Sequence, residues 1–426
     1  MATRCIEPAN APLDAEFRAA PSKSATHRAL VAAALAEGTS EIRDPLDADD
    51  TRRTLAGLRA LGVSVEERER TWYVHGAAGV IPGGGVIDLG GSGTSARFLT
   101  AVAALGERPS ALDGSVRLRE RPMDELIQAL GTLGAAIEAT EGRRLPIRAG
   151  GSGVSGGAVA LSGARSSQFA SALRLAAPAF ARGLHLAVRP PRVSFAYVRL
   201  TVEMLGEFGA VVEPDGEAGF RVPPQRLRAT SVAIEGDHSS TSYACAAVAI
   251  LGGRVRIRGL KAGSTQPDAR FLEDLAGLGC RVARDGDDIV VEGSGRVPGF
   301  AWDLTDAPDL APTAAVLALF ADGPCVLSGL SHLSWKESDR VAVLRENLTR
   351  LGAWAEVEGG TLTIVPPRRI ASPAATIDVA GDHRIAMALA IAGLGRPGVT
   401  IDDEGTVAKS YPRFWEDLER LVRTGS

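Results

Sequence analysis

Lysine is almost missing from this sequence: only Lys23, Lys261, Lys336 and Lys409 stand among 47 basic residues, the rest being arginine. Aromatic residues are scarce at 5%, and cysteine occurs four times, at Cys5, Cys245, Cys280 and Cys325, without a CxxC or other metal-like spacing. That pattern excludes a disulfide framework and a zinc site, and reads as reduced thiols in a cytoplasmic protein. The N-terminal stretch has no apolar core of the kind a secretory signal needs. Ala-rich runs such as residues 244–251 fall far short of the ~20 apolar residues that span a bilayer. An excess of basic charge is absent as well. A net charge of −4 and a pI near 6.0 argue against a nucleic-acid binder that works by neutralising phosphates. What is there is an ordinary globular composition, 45% hydrophobic and 23% charged over 426 residues, long enough for about two or three domains.

The lysine shortage has a corollary. Where arginine is the default cation, a retained lysine points to work that a planar, permanently charged guanidinium cannot do, such as acting as a compact point charge or exchanging a proton.

Two patterns recur in phase along the chain. A helical stretch ending in Leu/Phe-Gly-small appears at Gly62, Gly134, Gly209, Gly279 and Gly352, spaced 70 to 75 residues apart. Each glycine suits the residue after a helix, where a positive φ costs glycine little. Alternating segments with a turn follow, as in CRVARDGDDIVVEG and AWAEVEGGTLTIVPP, and predict β-hairpins. The second pattern is six Ala-rich segments behind polar loops, with Ser24, Thr94, Ser167, Ser240, Pro312 and Arg384 at equivalent points spaced 70 to 73 residues apart. They are apolar almost all round and predict buried helices. Short strands flank them, among them VIDLG, AVALSG, SVAIEG, VRIRG and CVLSG. The unit is therefore βαβαββ, present six times. The chain ends where the sixth hairpin should begin, and residues 3–17 are expected to close that unit. The expected division is residues 1–20 plus 238–426 in one lobe and residues 21–237 in the other.

The helix starts concentrate polar residues: Lys23-Ser24 with His27-Arg28, Ser92-Gly93-Thr94 with Arg97, Ser166-Ser167-Gln168, Asp237 with Ser239-Ser240, Asp309, and Asp382-His383-Arg384. Helix N-termini offer free N–H groups and a positive dipole end to anions. Ser, Thr and Asp are also the preferred caps, and for Asp237, Ser239 and Ser240 capping serves as well as ligand binding. Capping leaves Lys23, Arg28, Gln168 and Arg384 unexplained. Cations at helix N-termini are unfavourable without an anion, so their number implies a strongly anionic ligand. Two further charged clusters, Arg117–Arg121 and Lys336–Arg340, open helices.

In this order, PSKSATHRAL, GSGTSARF, RLRERPMDEL, SSQF, EGDHSSTS, KESDR, DHRIAMA and VAKSYP resemble the motifs of the 5-enolpyruvylshikimate-3-phosphate synthase (3-phosphoshikimate 1-carboxyvinyltransferase) family of enolpyruvyl transferases, over residues 13–421. The resemblance implies an α/β fold: a two-domain inside-out α/β barrel, each domain three βαβαββ repeat units with buried Ala-rich helices, with ligands between the domains. It implies an enzyme that transfers the enolpyruvyl group of phosphoenolpyruvate to the 5-hydroxyl of shikimate-3-phosphate through a tetrahedral intermediate, without cofactor or metal. It also implies a cytoplasmic monomer acting on these two small molecules, with no nucleic-acid or membrane partner. By position, Lys23, Asp309 and Glu337 match catalytic residues. Lys23, Ser24, Arg28, Ser166, Ser167, Gln168, Ser194, Tyr197, Asp309, His332 and Lys336 match the shikimate-3-phosphate site. Lys23, Gly93, Arg121, Gln168, Arg340, Arg384 and Lys409 match the phosphoenolpyruvate site. The chemistry needs a base for the hydroxyl proton, here Asp309, and an acid for the methylene carbon, here Glu337 with Lys23.

The sequence departs from the family pattern at Pro21, Gly91-Ser92, Phe98, Phe195 and His332. These positions bear on affinity and on inhibition by glyphosate, the anionic mimic implied at the phosphoenolpyruvate site, more than on reaction type. His332 either donates to the shikimate ring or is a surface-loop histidine. The nearest rival is transfer to UDP-N-acetylglucosamine, whose family carries a Cys before the Arg-Pro and Asn after the first Lys. Here Asp113-Gly114-Ser115 and Ser24 stand instead. Transfer to another phosphorylated cyclic alcohol, and a non-catalytic anion- or RNA-binding paralogue, are the remaining readings.

Overall fold

A computed structural model describes residues 2–286, 288–367 and 374–423. The other positions, most of which fall in the 238–426 stretch of the expected lobe, lie outside the described residues. The chain forms a mixed α/β structure with two compact units: a medial unit, Pro21–Ile234, and a terminal unit, Met1–Ala20 with Glu235–Ser426. The second crossing falls between Ile234 and Glu235, just ahead of 238. There the N–H of Ile234 still donates to Arg43 in the medial unit, while that of Gly236 donates to Gly259 in the terminal one.

The medial unit has three buried helices, Lys23–Leu35, Gly93–Ala103 and Ser167–Ala176, each packed on the other two. Alanine makes this possible: from Ala29 to Ala34 no side chain reaches solvent, and small side chains let backbones approach closely. Two of its four-stranded sheets place a parallel strand pair on either side of a buried helix in sequence. Val86–Asp88 pairs with Ser110–Asp113, and Gly157–Ser162 with Leu184–Arg189. Each sheet is completed by a hairpin. The five glycines of the Leu/Phe-Gly pattern all have positive φ, between 78° and 94°, at the turn from helix to hairpin.

The terminal unit repeats the arrangement around His238–Leu251, Ala311–Leu319 and His383–Gly395, which also pack on one another. Its pairs are Ala301–Asp303 with Cys325–Ser328, and Ala375–Ile377 with Val399–Ile401.

At the two crossings strand pairing departs from local order in the chain, and Leu13–Arg18 closes a sheet other than the sixth, the one that residues 3–17 are expected to close. Leu13–Arg18 precedes the first medial helix, yet it pairs in parallel with Gly253–Arg258 of the terminal unit. Ser231–Ala233 precedes the first terminal helix, yet it pairs in parallel with Glu41–Arg43 of the medial unit. Each unit thus completes a sheet with the strand that local order assigns to the other. Only Arg4–Cys5 of the N-terminal segment joins the sixth sheet, antiparallel to Thr400–Ile401, and among the described residues that sheet has three strands. The burial pattern explains the choice for the longer strand. Leu13 and Ala15 are buried while Asp14 and Glu16 face out, so Leu13–Arg18 needs an apolar face to cover, and Gly253–Arg258 provides its edge. Among the described residues no helix is long and apolar enough to cross a membrane.

Candidate active site

Five of the six buried helices start on a side-chain cap: Ser22, Ser92, Ser166, Asp237 and Asp382 each accept a hydrogen bond from a first-turn N–H. The sixth, Ala311–Leu319, enters from a 3-10 turn, Pro308–Leu310, that carries Asp309. Capping falls on Ser22 and Ser92, just before predicted site residues, and on Ser166, itself one of them; Lys23, Gly93, Ser167 and Arg384 stay in the first turn.

In the medial unit, Lys23 donates to Asp50 at 3.0 Å, from the start of one helix to the start of Asp49–Ala60. Arg28 is buried one turn further on. Its Nε donates to Thr201 at 2.8 Å, and its other nitrogens to the Ser24 carbonyl at 2.9 Å, the Tyr197 carbonyl at 3.2 Å and the Ser171 hydroxyl at 3.5 Å. All four acceptors are neutral. Burial, against a smaller opposing effect of Tyr197, pulls its pKa down to about 10. The guanidinium is therefore a fixed cation whose charge no hydrogen-bonded carboxylate offsets. Tyr197 contributes its carbonyl to this arrangement. Ser194 is buried with φ of 54°, a left-handed conformation that is costly for serine and that surrounding structure must hold in place.

Gln168 donates to the Thr94 hydroxyl at 3.0 Å, joining the second and third helix starts. Arg121 lies across the backbone of Gly93: a Cβ there would stand 2.5 Å from an Arg121 nitrogen. Arg97, in the same polar cluster, ties backbone together. It donates to the Gly93 carbonyl at 3.0 Å and the Pro122 carbonyl at 2.7 Å, strapping the loop that carries Arg121 to the helix that carries Gly93. Beneath these groups runs a fully buried polar chain. His27 Nδ1 meets Thr54 at 2.7 Å, Thr54 meets Ser95 at 2.8 Å, and Ser95 meets Ser92 at 2.8 Å and donates to the Asp50 carbonyl at 3.1 Å.

The terminal unit is wired through carboxylates. Arg340 donates to Asp382 at 2.9 Å, to Asp309 at 3.0 Å and to Glu337 at 3.1 Å. Arg384 reaches the other Asp309 oxygen at 2.8 Å, and Lys336 lies 3.7 Å from Asp309. Burial opposes the Arg340 charge, but Asp382, Asp309 and Glu337 together hold its pKa above the usual arginine value. Ser338 donates to Asp382 at 3.3 Å. Asp268 lies in the same neighbourhood, buried, accepting from Ser239; burial and then Asp309 push its pKa up. His332 is buried, not a surface-loop residue, and burial followed by Lys336 lowers its pKa to about 3, so its imidazole is neutral. Lys409 is half-buried at the end of the turn Glu404–Lys409.

The expectation that cations at helix starts await an external anion needs revision. Lys23 and Arg384 already face Asp50 and Asp309, carboxylates from distant segments. Arg28 has only neutral hydrogen-bond acceptors. Spacing offered no signal for Asp50 or Thr201, and for Asp268 only its place in a polar QPD turn.

The family model described as EPSP synthase (3-phosphoshikimate 1-carboxyvinyltransferase) matches residues 8–418. A 3-phosphoshikimate 1-carboxyvinyltransferase of Methanoculleus marisnigri is 42% identical over 413 residues, covering 96% of each chain. Its namesake in Methanosphaerula palustris is 41% identical over 411 residues, again covering 96% of each. Among solved structures, an EPSP synthase from Acinetobacter baumannii superposes with a TM-score of 0.80 at 27% identity, covering 99% of this chain and 98% of the other.

Proposed function

Since this chain belongs to the EPSP synthase family, matched by its model over residues 8–418, we propose that the residues described at these helix starts supply the groups for that family's reaction. The protein is a transferase of the shikimate pathway, which leads to the aromatic amino acids. It moves the enolpyruvyl group of phosphoenolpyruvate onto shikimate-3-phosphate and releases phosphate. The reading of its site rests most on Arg28, a buried guanidinium with only neutral hydrogen-bond acceptors.

In this reading shikimate-3-phosphate takes Lys23, Ser24, Arg28, Ser166, Ser167, Gln168, Ser194, Tyr197, Asp309, His332 and Lys336. The hydroxyls of Ser166 and Ser167 and the free N–H groups of their helix suit a phosphate. His332, neutral at any working pH, is suited to a hydrogen bond with the ring hydroxyls. Phosphoenolpyruvate takes Lys23, Gly93, Arg121, Gln168, Arg340, Arg384 and Lys409. Arginine forks match carboxylate and phosphate oxygens in pairs.

The carboxylate wiring gives the reaction an order. Asp309 is held by Arg340, Arg384 and Lys336. An incoming phosphoenolpyruvate competes for the two arginines, and each bond it takes leaves Asp309 a stronger base. Asp309 then accepts the proton of the 5-hydroxyl as its oxygen attacks C2 of phosphoenolpyruvate. Glu337 or Lys23 delivers a proton to C3, giving a tetrahedral ketal phosphate. Loss of phosphate and of a C3 proton restores the double bond. Cations held in place bind the developing charge without reorganising. No step calls for a cofactor or a metal.

The finer architecture is part of the same proposal. Each unit is three βαβαββ repeats with helices inside, an inside-out barrel, supported by the buried helices and by the parallel strand pairs beside them. A cytoplasmic monomer is the form in which we expect it to act, and the four free cysteines fit a reducing compartment.

A coupled assay of phosphate release tests the activity. Phosphate should appear only when shikimate-3-phosphate and phosphoenolpyruvate are both present. Release with UDP-N-acetylglucosamine or another phosphorylated cyclic alcohol, and none with shikimate-3-phosphate, would reject the reading.

A further inference from the structure

Arg174 is buried in the helix Ser167–Ala176, and among the described residues none of its three guanidinium nitrogens has a hydrogen-bond partner. Burial pulls its pKa down to about 9. An unpaired buried cation is costly, and an apolar side chain of similar size would serve the core better. What Arg174 has instead is the face of Phe220, 3.7 Å from its Cζ to the ring centroid. Phe220 in turn packs on Phe195, with ring centroids 6.3 Å apart and planes tilted by 42°. Phe195 directly follows Ser194, whose φ of 54° needs outside support. Two residues beyond Phe195, Tyr197 donates its N–H to the Ser194 carbonyl at 3.1 Å, and its own carbonyl accepts from Arg28.

We propose that the stack Arg174–Phe220–Phe195 positions the Ser194–Tyr197 turn and so sets the affinity for shikimate-3-phosphate. The cation is attracted to the ring quadrupole, and the tilted ring pair fixes Phe195 beyond what area burial would do. The stack joins the helix Ser167–Ala176 to the turn at Ser194, two segments that meet the same substrate in the reading above. It gives Phe195, which stands where a charge or polar group is common in the family, a partner of its own kind. The inference rests on the assignment of Ser194 and Tyr197 to that substrate. Arg174, Phe220 and Phe195 are positioning residues that act through Ser194 and Tyr197.

Steady-state constants for both substrates and melting temperatures test it in four variants. Phe220→Leu should raise KM for shikimate-3-phosphate roughly three- to tenfold, with KM for phosphoenolpyruvate and kcat within about twofold. Phe220→Tyr keeps the ring face and should restore the native KM. Arg174→Leu should raise the same KM at least about threefold while raising the melting temperature, because it removes an unpaired buried charge. Opposite signs for stability and affinity are what a purely structural role would not give. Ser194→Ala separates the two levels. If it raises KM for shikimate-3-phosphate but Phe220→Leu and Arg174→Leu do not, the stack has no positioning role. If Ser194→Ala leaves KM unchanged, the substrate assignment itself is wrong.

Discussion

At the scale of single residues, the four lysines divide cleanly. Lys23 faces Asp50 at 3.0 Å and Lys336 lies 3.7 Å from Asp309, while Lys261 is exposed in a loop. Replacing Lys23 by arginine keeps the charge but substitutes a broad planar group that does not give up a proton. Lys23→Arg should lower kcat by roughly 100-fold or more, the lower end of a general acid–base contribution, with little change in melting temperature. Lys336→Arg and Lys409→Arg should do less harm, and Lys261→Arg almost none. Similar steady-state constants for Lys23→Arg and Lys261→Arg would remove Lys23 from the proton-transfer chemistry. Gly93 makes the second residue-scale case. A Cβ at this position displaces the Arg121 guanidinium, the far end of a long flexible side chain, so the fold should tolerate it. Gly93→Ala should raise KM for phosphoenolpyruvate and weaken glyphosate inhibition by about tenfold, as expected if one guanidinium contact of ~1.4 kcal/mol is lost. Shikimate-3-phosphate binding, measured by calorimetry, should change far less, and equal losses for both would reject the placement of Gly93.

At the scale of elements, what matters is how the helix starts are tied together. The chain His27–Thr54–Ser95–Ser92 joins three helices through hydroxyls and one imidazole, all buried. Thr54→Val keeps the shape but removes the central hydroxyl, leaving His27 Nδ1 and Ser95 each short of a partner. The cost should be about 1–3 kcal/mol, read as a lower urea midpoint, with KM for phosphoenolpyruvate raised because Ser95 sits in the first turn beside Gly93. An unchanged midpoint would show that water takes the place of the threonine. Helix positions were legible in the sequence because caps, Ala-rich faces and terminal glycines are local signals. The ties between helices were not. Thr54 and Ser95 are 41 residues apart, and Arg340 and Asp382 are 42 apart, so no window of spacing holds both partners. Arg97 is a further case: its bond to the carbonyl of Pro122 joins positions 25 residues apart in the chain.

At the scale of the molecule, two buried histidines link stability to pH. His238 and His332 have folded-state pKa values near 4 and 3, both lowered first by burial. An unfolded histidine titrates near ~6.5. Between these values the unfolded chain binds more protons, so stability is present above about pH 6.5 and is lost as pH falls, by up to about 1.4 kcal/mol per pH unit for each group. Asp268, whose pKa is raised by burial, works in the opposite sense: its contribution is present at low pH and is lost as pH rises through its folded value. Urea midpoints measured from pH 7 to pH 4.5 should fall steeply for the native chain and less steeply for a His238→Gln/His332→Asn double variant. Equal slopes would mean that other groups govern the acid limb.

The sequence alone determined the class of elements, their order, the buried helices and the residues crowding their starts. Those follow from composition and short-range periodicity, and a family resemblance spread over eight motifs added the reaction. The tertiary structure decided what local order does not contain. It sent Leu13–Arg18 to Gly253–Arg258 and Ser231–Ala233 to Glu41–Arg43, because a strand pairs with whichever exposed edge and apolar face fit it, not with its nearest neighbour in the chain. It also set which cations are neutralised from within and which are not. Arg340 lies among three carboxylates, while Arg28 has neutral acceptors and Arg174 has only an aromatic face. Charge balance in a buried site depends on groups brought together from far along the chain, and that distance is what folding removes.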